Sequence, residues 1–339
     1  MRTLKALVCA AAMGFCGAAA AGQSYSSVIA FGDSLSDNGN YYRLIDSLTP
    51  LDPGDGSPPL PYFFGRFSNG PVMVERLAQN LRVPLRDFAY GGAKTGPDLT
   101  PAASGGPFDN GDPRANGTGL LAQVNRFVRS QRRLDDDALY IVWAGPNDFF
   151  DIALNDPAAV AATLDNAIRH LSTAVTTLIR HGARHILVPG MPDLGLTPLL
   201  SSQSAGPQGS ALSAAFNSAL DLALLRIGNA ARGVDLKSFD IAALQHEIVA
   251  DPAAFGLADV QDECILDRTS RCILDSFDAG GAAGYFFWDD VHPTAALHSI
   301  FAGRIQALVA PAPAASAPAA AQAASADRNW LDIARERQH

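Results

Sequence analysis

The chain of 339 residues is predicted to be an α/β protein, a three-layer α/β/α sandwich around a central, mostly five-stranded parallel sheet. Three observations lead there. Five brief apolar runs, at residues 27–31, 85–89, 138–144, 185–189 and 234–239, are each followed nearby by Gly, Pro, Asp or Asn. Such runs are the signature of strands buried on both faces of a parallel sheet. Between them lie longer stretches of helical periodicity, which act as the crossovers that return the chain in the same direction. The composition, 48% hydrophobic and 17% charged, supplies ample apolar surface for a core.

From the N-terminus, Arg2 and Lys5 precede an Ala-rich apolar run over 6–21 and a polar Gln23-Ser24. A short basic region, an apolar stretch and small residues describe a secretory signal peptide over 1–22, and export to the periplasm or beyond. The run is too short and too rich in Ala for a bilayer span, so no transmembrane anchor is expected, and no later run is long enough either. The main domain is expected over 23–309. Its first strand leads into Asp33-Ser34, where a helix is expected to begin. Helices follow at 71–81 and 119–132. The clearest helix opens at Asp156-Pro157, a cap with Pro in the first helical position, and stops at Gly182. Val160, Leu164, Ile168, Leu171, Val175 and Leu178 line its apolar side. Further helices are predicted at 209–232 and 294–309. Long loops at 50–65, 96–117 and 251–286 are expected to form lids or binding surfaces. From residue 310 the chain is mostly Ala, Pro, Ser and Gln, and a flexible tail is expected to 339.

Lys+Arg 25 against Asp+Glu 34 leaves a formal charge of −9, which argues against nucleic acid as the partner. Of the four cysteines, Cys9 and Cys16 fall in the leader. Cys264 and Cys272 remain, and in an oxidising compartment they are expected to pair.

The chemistry gathers at strand ends. Ser34 follows the first strand, with Asp33 placed to cap the turn. A serine hydroxyl needs a general base oriented by a third group. Among seven histidines, His292 stands out in Trp288-Asp289-Asp290-Val291-His292-Pro293-Thr294. Asp289, three residues earlier, can fold back onto one ring nitrogen. Asp290 is the rival, and spacing favours Asp289. His170, His181, His246 and His298 read as helix-surface or loop residues and His185 as a strand edge, with no metal-ligand spacing, so neither metal nor cofactor is expected. Donors for a tetrahedral oxyanion can come from the Tyr90-Gly91-Gly92-Ala93 turn and from the Asn147 amide.

Together, FGDSLSDNGN, DFAYGGAKTG, WAGPNDFFD and FWDDVHPT resemble, in order, the four blocks of the GDSL, or SGNH, hydrolase family, across residues 27–309. GRFSNG from Gly65 and PDLGLTP from Pro192 are similar to its branch of secreted bacterial lipolytic esterases and acyltransferases. The resemblance implies a flavodoxin-like fold and a cofactor-free serine hydrolase of small-molecule or lipid esters. It implies Ser34 as nucleophile, Asp289 and His292 as its partners, and Gly92 and Asn147 in the oxyanion hole. Gly92 is chosen over Gly91 because the first glycine position varies in the family. Phospholipid acyl transfer and deacetylation of a polysaccharide are alternatives on the same site. A metal-dependent phosphoesterase and a non-catalytic surface module are the readings outside it. The Gly-x-Ser-x-Gly elbow of the larger lipase fold is absent.

Overall fold

The structure, a computed structural model, describes residues 25–48, 58, 61–97, 117–150, 152–266 and 284–310. The expected leader, the tail and Cys272 lie outside the described residues. So does most of the loops expected at 50–65 and 96–117.

Five strands form one parallel sheet: β1 (Val28–Gly32), β2 (Leu85–Asp87), β3 (Leu139–Trp143), β4 (His185–Pro189) and β5 (Asp235–Phe239), in the order β2-β1-β3-β4-β5. All five positions of β1 and of β3 are buried, as strands covered on both faces require. Side chains alternate between the faces. Ile29, Phe31, Tyr140, Val142, Ile186 and Val188 join one core with α3 (Leu120–Arg129), α4 (Pro157–His181) and α6 (Gly206–Ala230). On the other face α2 (Met73–Leu81) packs against β1, and α8 (Ala295–Val309) packs against α2.

Local chemistry explains the helix ends. Asp156 accepts from the N–H groups of Ala158 and Ala159 at 3.0 and 3.1 Å, Pro157 opens α4, and Gly182 closes it in the left-handed region. Glu75 folds back to accept the Val72 N–H at 3.0 Å and fixes the start of α2.

Four expectations need correction. No helix begins at Ser34: residues 33–37 form a tight turn, and α1 (Asn40–Leu48) starts only after Asp37 caps it through the N–H groups of Gly39 and Asn40. The expected loop at 251–286 contains β6 (Asp259–Glu263), paired in parallel with β7 (Tyr285–Phe287). Asp259-Val260-Gln261-Asp262-Glu263 is too polar to read as a strand. α6 is long and apolar enough, by length and composition, to cross a membrane, which the search for apolar runs missed. Here it is a core helix, burying Leu212, Phe216, Leu220 and Leu224. His298 is not on a helix surface but fully buried, its Nδ1 accepting the Met73 N–H at 3.1 Å. Two short elements were also unforeseen, α5 (Pro198–Ser202) and α7 (Ile241–Ala250).

Candidate active site

The site forms where chain segments leave the carboxyl ends of the strands, as open parallel sheets dictate. β1 ends at Gly32, whose N–H and C=O are both held by the buried amide of Gln123 from α3, at 2.9 and 2.8 Å. The chain then turns sharply: Asp33 O accepts from the N–H groups of Ser36 and Asp37, and Asp33 Oδ1 accepts from Leu35 N–H. This turn carries Ser34, which is buried and lines the cleft. The N–H of Ser34 makes no hydrogen bond to the described residues.

His292 arrives from the opposite end of the sequence. Its Nε2 lies 2.8 Å from Ser34 Oγ, and its Nδ1 lies 2.8 and 3.0 Å from Asp289 Oδ2 and Oδ1. Asp290 makes no bond to the ring; its carbonyl instead accepts the Leu199 N–H. Asp289 Oδ1 also accepts the N–H groups of Val291 and His292, at 3.0 and 2.6 Å, so the loop folds around its own carboxylate. The loop is pinned from the segment that carries GRFSNG. Ser68 Oγ donates to Pro293 O at 2.9 Å, Asn69 Oδ1 accepts from Ala295 N–H, and the Phe67 ring lies 5.2 Å from the imidazole.

The same segment supplies a residue that sequence reasoning missed. Tyr62 donates its hydroxyl to Asp289 Oδ2 at 2.7 Å, the oxygen that also meets the imidazole. Its ring packs edge-on against Trp288. No local signal marked Tyr62; its partner is more than 200 positions away.

Burial shapes the titration of these groups. It would by itself raise Asp289 and lower His292, but each favours the other's charged form, so Asp289 is held below the usual carboxylate range and His292 above that of free imidazole. Burial pushes Asp33, beside the nucleophile, up to about 7 and Asp37 up to about 6.

The oxyanion candidates sit beside one another. Gly92 adopts a left-handed φ of 73° within the turn after β2, a conformation open to glycine at little cost. The neighbouring Gly91 N–H is bound to Asp37 Oδ2 at 2.7 Å. Asn147 lies in a short 3-10 turn after β3 and donates to Ala93 O at 3.2 Å, next to Gly92. Asp148 accepts from both the N–H and the hydroxyl of Thr95, tying the two turns together.

Ser34, Asn147 and His292 share one cleft, with Asp289 behind the imidazole. Its walls are apolar, built from Leu35, Phe150, Leu194, Phe286, Phe287 and Phe301 among others. Cys264 stands apart, buried against Trp288. Among the described residues, the carboxylate group close enough to hold a cation is the exposed trio Asp135, Asp136 and Asp137, which precedes β3 at the far end of the sheet.

The family model described as GDSL-like lipase/acylhydrolase matches residues 28–305. A phosphatidylcholine-sterol acyltransferase of Aeromonas hydrophila is 29% identical, over 81% of this chain and 88% of the relative. A GDSL esterase/lipase of Arabidopsis thaliana is 26% identical, over 80% of this chain and 83% of the relative. Among solved structures, a catalytic mutant of an acetylxylan esterase from Geobacillus stearothermophilus aligns over 84% of this chain and 94% of its own, with a TM-score of 0.44 and 14% identity.

Proposed function

Because the chain belongs to the GDSL-like lipase/acylhydrolase family and is a carboxylic ester hydrolase, we propose that Ser34, His292 and Asp289 are its catalytic triad. The observation that carries this reading is the unbroken chain from Ser34 Oγ through the imidazole to the Asp289 carboxylate, with both links at 2.8 Å. Asp289 holds the proton on Nδ1, so Nε2 is the basic nitrogen facing the hydroxyl. His292 takes the hydroxyl proton as Ser34 attacks the ester carbonyl, then passes it to the departing alcohol. Water, activated by the same imidazole, releases the acyl group. The oxyanion is held by the N–H groups of Ser34 and Gly92 and by the Asn147 amide. Gly91 N–H is committed to Asp37.

Ser34→Ala is expected to lower hydrolysis of p-nitrophenyl butyrate by on the order of 10⁴-fold or more, and to abolish fluorophosphonate labelling. Retained turnover would refute the assignment. Acyl transfer to a sterol, the activity in the name of the Aeromonas relative, is a second reading. The apolar cleft favours it, since an alcohol can compete there with water for the acyl-enzyme. Product analysis with an added alcohol acceptor distinguishes the two.

Residues 1–22 are a secretory leader and 310–339 a tail outside the 23–309 domain in this reading, so the enzyme works outside the inner membrane. Cys264 then pairs with Cys272 in the exported protein, as an oxidising compartment favours. The mass of the secreted protein, alkylated with and without reductant, tests both.

A further inference from the structure

Six polar side chains line the cleft: Asp33, Ser34, Asn147, Thr197, Gln245 and His292. Ser34, Asn147 and His292 belong to the chemistry just described. Asp33 holds the turn through Leu35 N–H on Oδ1, and its Oδ2, though unpartnered among the described residues, is sealed from solvent. Thr197 is engaged on both sides, donating to Leu194 O at 2.6 Å and accepting from Leu200 N–H at 3.4 Å. Gln245 remains. It projects from α7, is 3% exposed, and accepts the Asp193 N–H on Oε1 at 2.6 Å. Only the oxygen end of an amide can accept from an N–H, so this bond fixes which end is which. The other end, Nε2, has no acceptor among the described residues.

Unlike Asp33 Oδ2, this nitrogen is not sealed from solvent, so water can reach it through the cleft and a ligand oxygen can take that water's place. The cleft that it lines together with Ser34 has mostly apolar walls.

We propose that Gln245 is a specificity residue whose Nε2 donates to an oxygen carried a few bonds from the scissile carbonyl, so that oxygen-bearing esters are preferred to their alkyl counterparts. The assignment deepens the Ser34 reading and rests on it. The oxygen can sit on the acyl or the alcohol half of the ester, and two matched pairs separate these. The acyl pair is p-nitrophenyl 3-hydroxybutyrate against p-nitrophenyl 3-methylbutyrate. The alcohol pair is 2-hydroxyethyl butyrate against propyl butyrate, followed by proton release.

The wild-type enzyme is expected to favour the hydroxylated partner by about tenfold in kcat/KM in at least one pair. Gln245→Met, which removes the donor, should bring that ratio close to one. The ratio cancels any general loss from disturbing the bond to Asp193. Should the Met variant fail to fold, Gln245→Glu assayed at pH 9 replaces it, since a carboxylate still accepts from Asp193 N–H and cannot donate. Equal rates within both pairs for the wild-type enzyme, or a preference that survives loss of the donor, would overturn the assignment while leaving the hydrolase reading intact. Failure of every ester together with failure of fluorophosphonate labelling would instead overturn the Ser34 mechanism, and this assignment with it.

Discussion

Replacing Tyr62 by Phe removes one hydroxyl and keeps the ring that packs against Trp288 and Phe67, so the loop should hold its place. The effect is electrostatic. Tyr62 Oη and His292 Nδ1 meet the same carboxylate oxygen, at 2.7 and 2.8 Å. A hydrogen bond to a charged group contributes about 1.5–3 kcal/mol, and one pH unit corresponds to about 1.4 kcal/mol. Complete transfer of the lost bond to the imidazolium would therefore raise the His292 pKa by about 1–2 units. The N–H groups of Val291 and His292 still neutralise part of the Asp289 charge, which cuts the expected rise to about 0.5–1 unit. His292 acts as a base only when neutral, and Asp289 already holds its pKa above the ordinary histidine value. The acidic limb of kcat/KM should thus move to higher pH in Tyr62→Phe, with a loss of roughly three- to tenfold on the acid side of the wild-type limb, and rates converging at high pH. A series of p-nitrophenyl butyrate assays from pH 5 to 10 reads this directly. A limb that stays in place, moves down, or a loss equal at every pH would refute the reasoning.

Asn147→Ala should lower kcat by about 10²–10³ with little change in KM, the loss typical of one oxyanion donor; a change confined to KM would make Asn147 a binding residue instead. In Gly91→Ala the new Cβ would lie 2.1 Å from the Phe67 ring, which packs at a tilt against the His292 ring. Overpacking of this kind costs about 1–3 kcal/mol, so both Tm and kcat should fall, and an unchanged pair of values would contradict the tight packing. Asp33 is buried, its Oδ2 has no partner among the described residues, and its carboxyl titrates near 7 in the fold. The fold therefore holds a proton that the unfolded chain releases near pH 4, and that stabilisation is complete below about pH 4 and lost as pH rises through 7. Asp33→Asn should remove this loss, so urea midpoints of variant and wild type should diverge between pH 4.5 and 7.5 by the equivalent of a few kcal/mol in favour of the variant. Parallel curves would show that Asp33 is charged throughout.

Much of the fold was legible because its causes are local. Strands such as 139–143 announce themselves by unbroken apolar and aromatic residues, since both faces of the sheet are covered. The ends of α4 are written in Asp156, Pro157 and Gly182, each acting on backbone groups within a turn of itself. Asp289 and His292 could be paired from spacing alone, because a three-residue loop folded around a carboxylate is also local. Ser34 was singled out for the right strand but the wrong support: the turn at 33–37, not a helix N-terminus, presents it.

What the linear order could not reveal depends on partners distant along the chain. Gln123 clasps the end of β1 across 91 positions, Tyr62 reaches Asp289 across 227, and Gln245 accepts from Asp193 across 52. Polar side chains of this kind follow no periodicity, and their roles arise only when folding removes water and leaves each group one geometric choice of partner. The sequence by itself determined the layered architecture and the reactive residue types, through backbone propensity and apolar patterning. Tertiary structure alone decided which buried polar groups face one another, because that is set by packing in three dimensions.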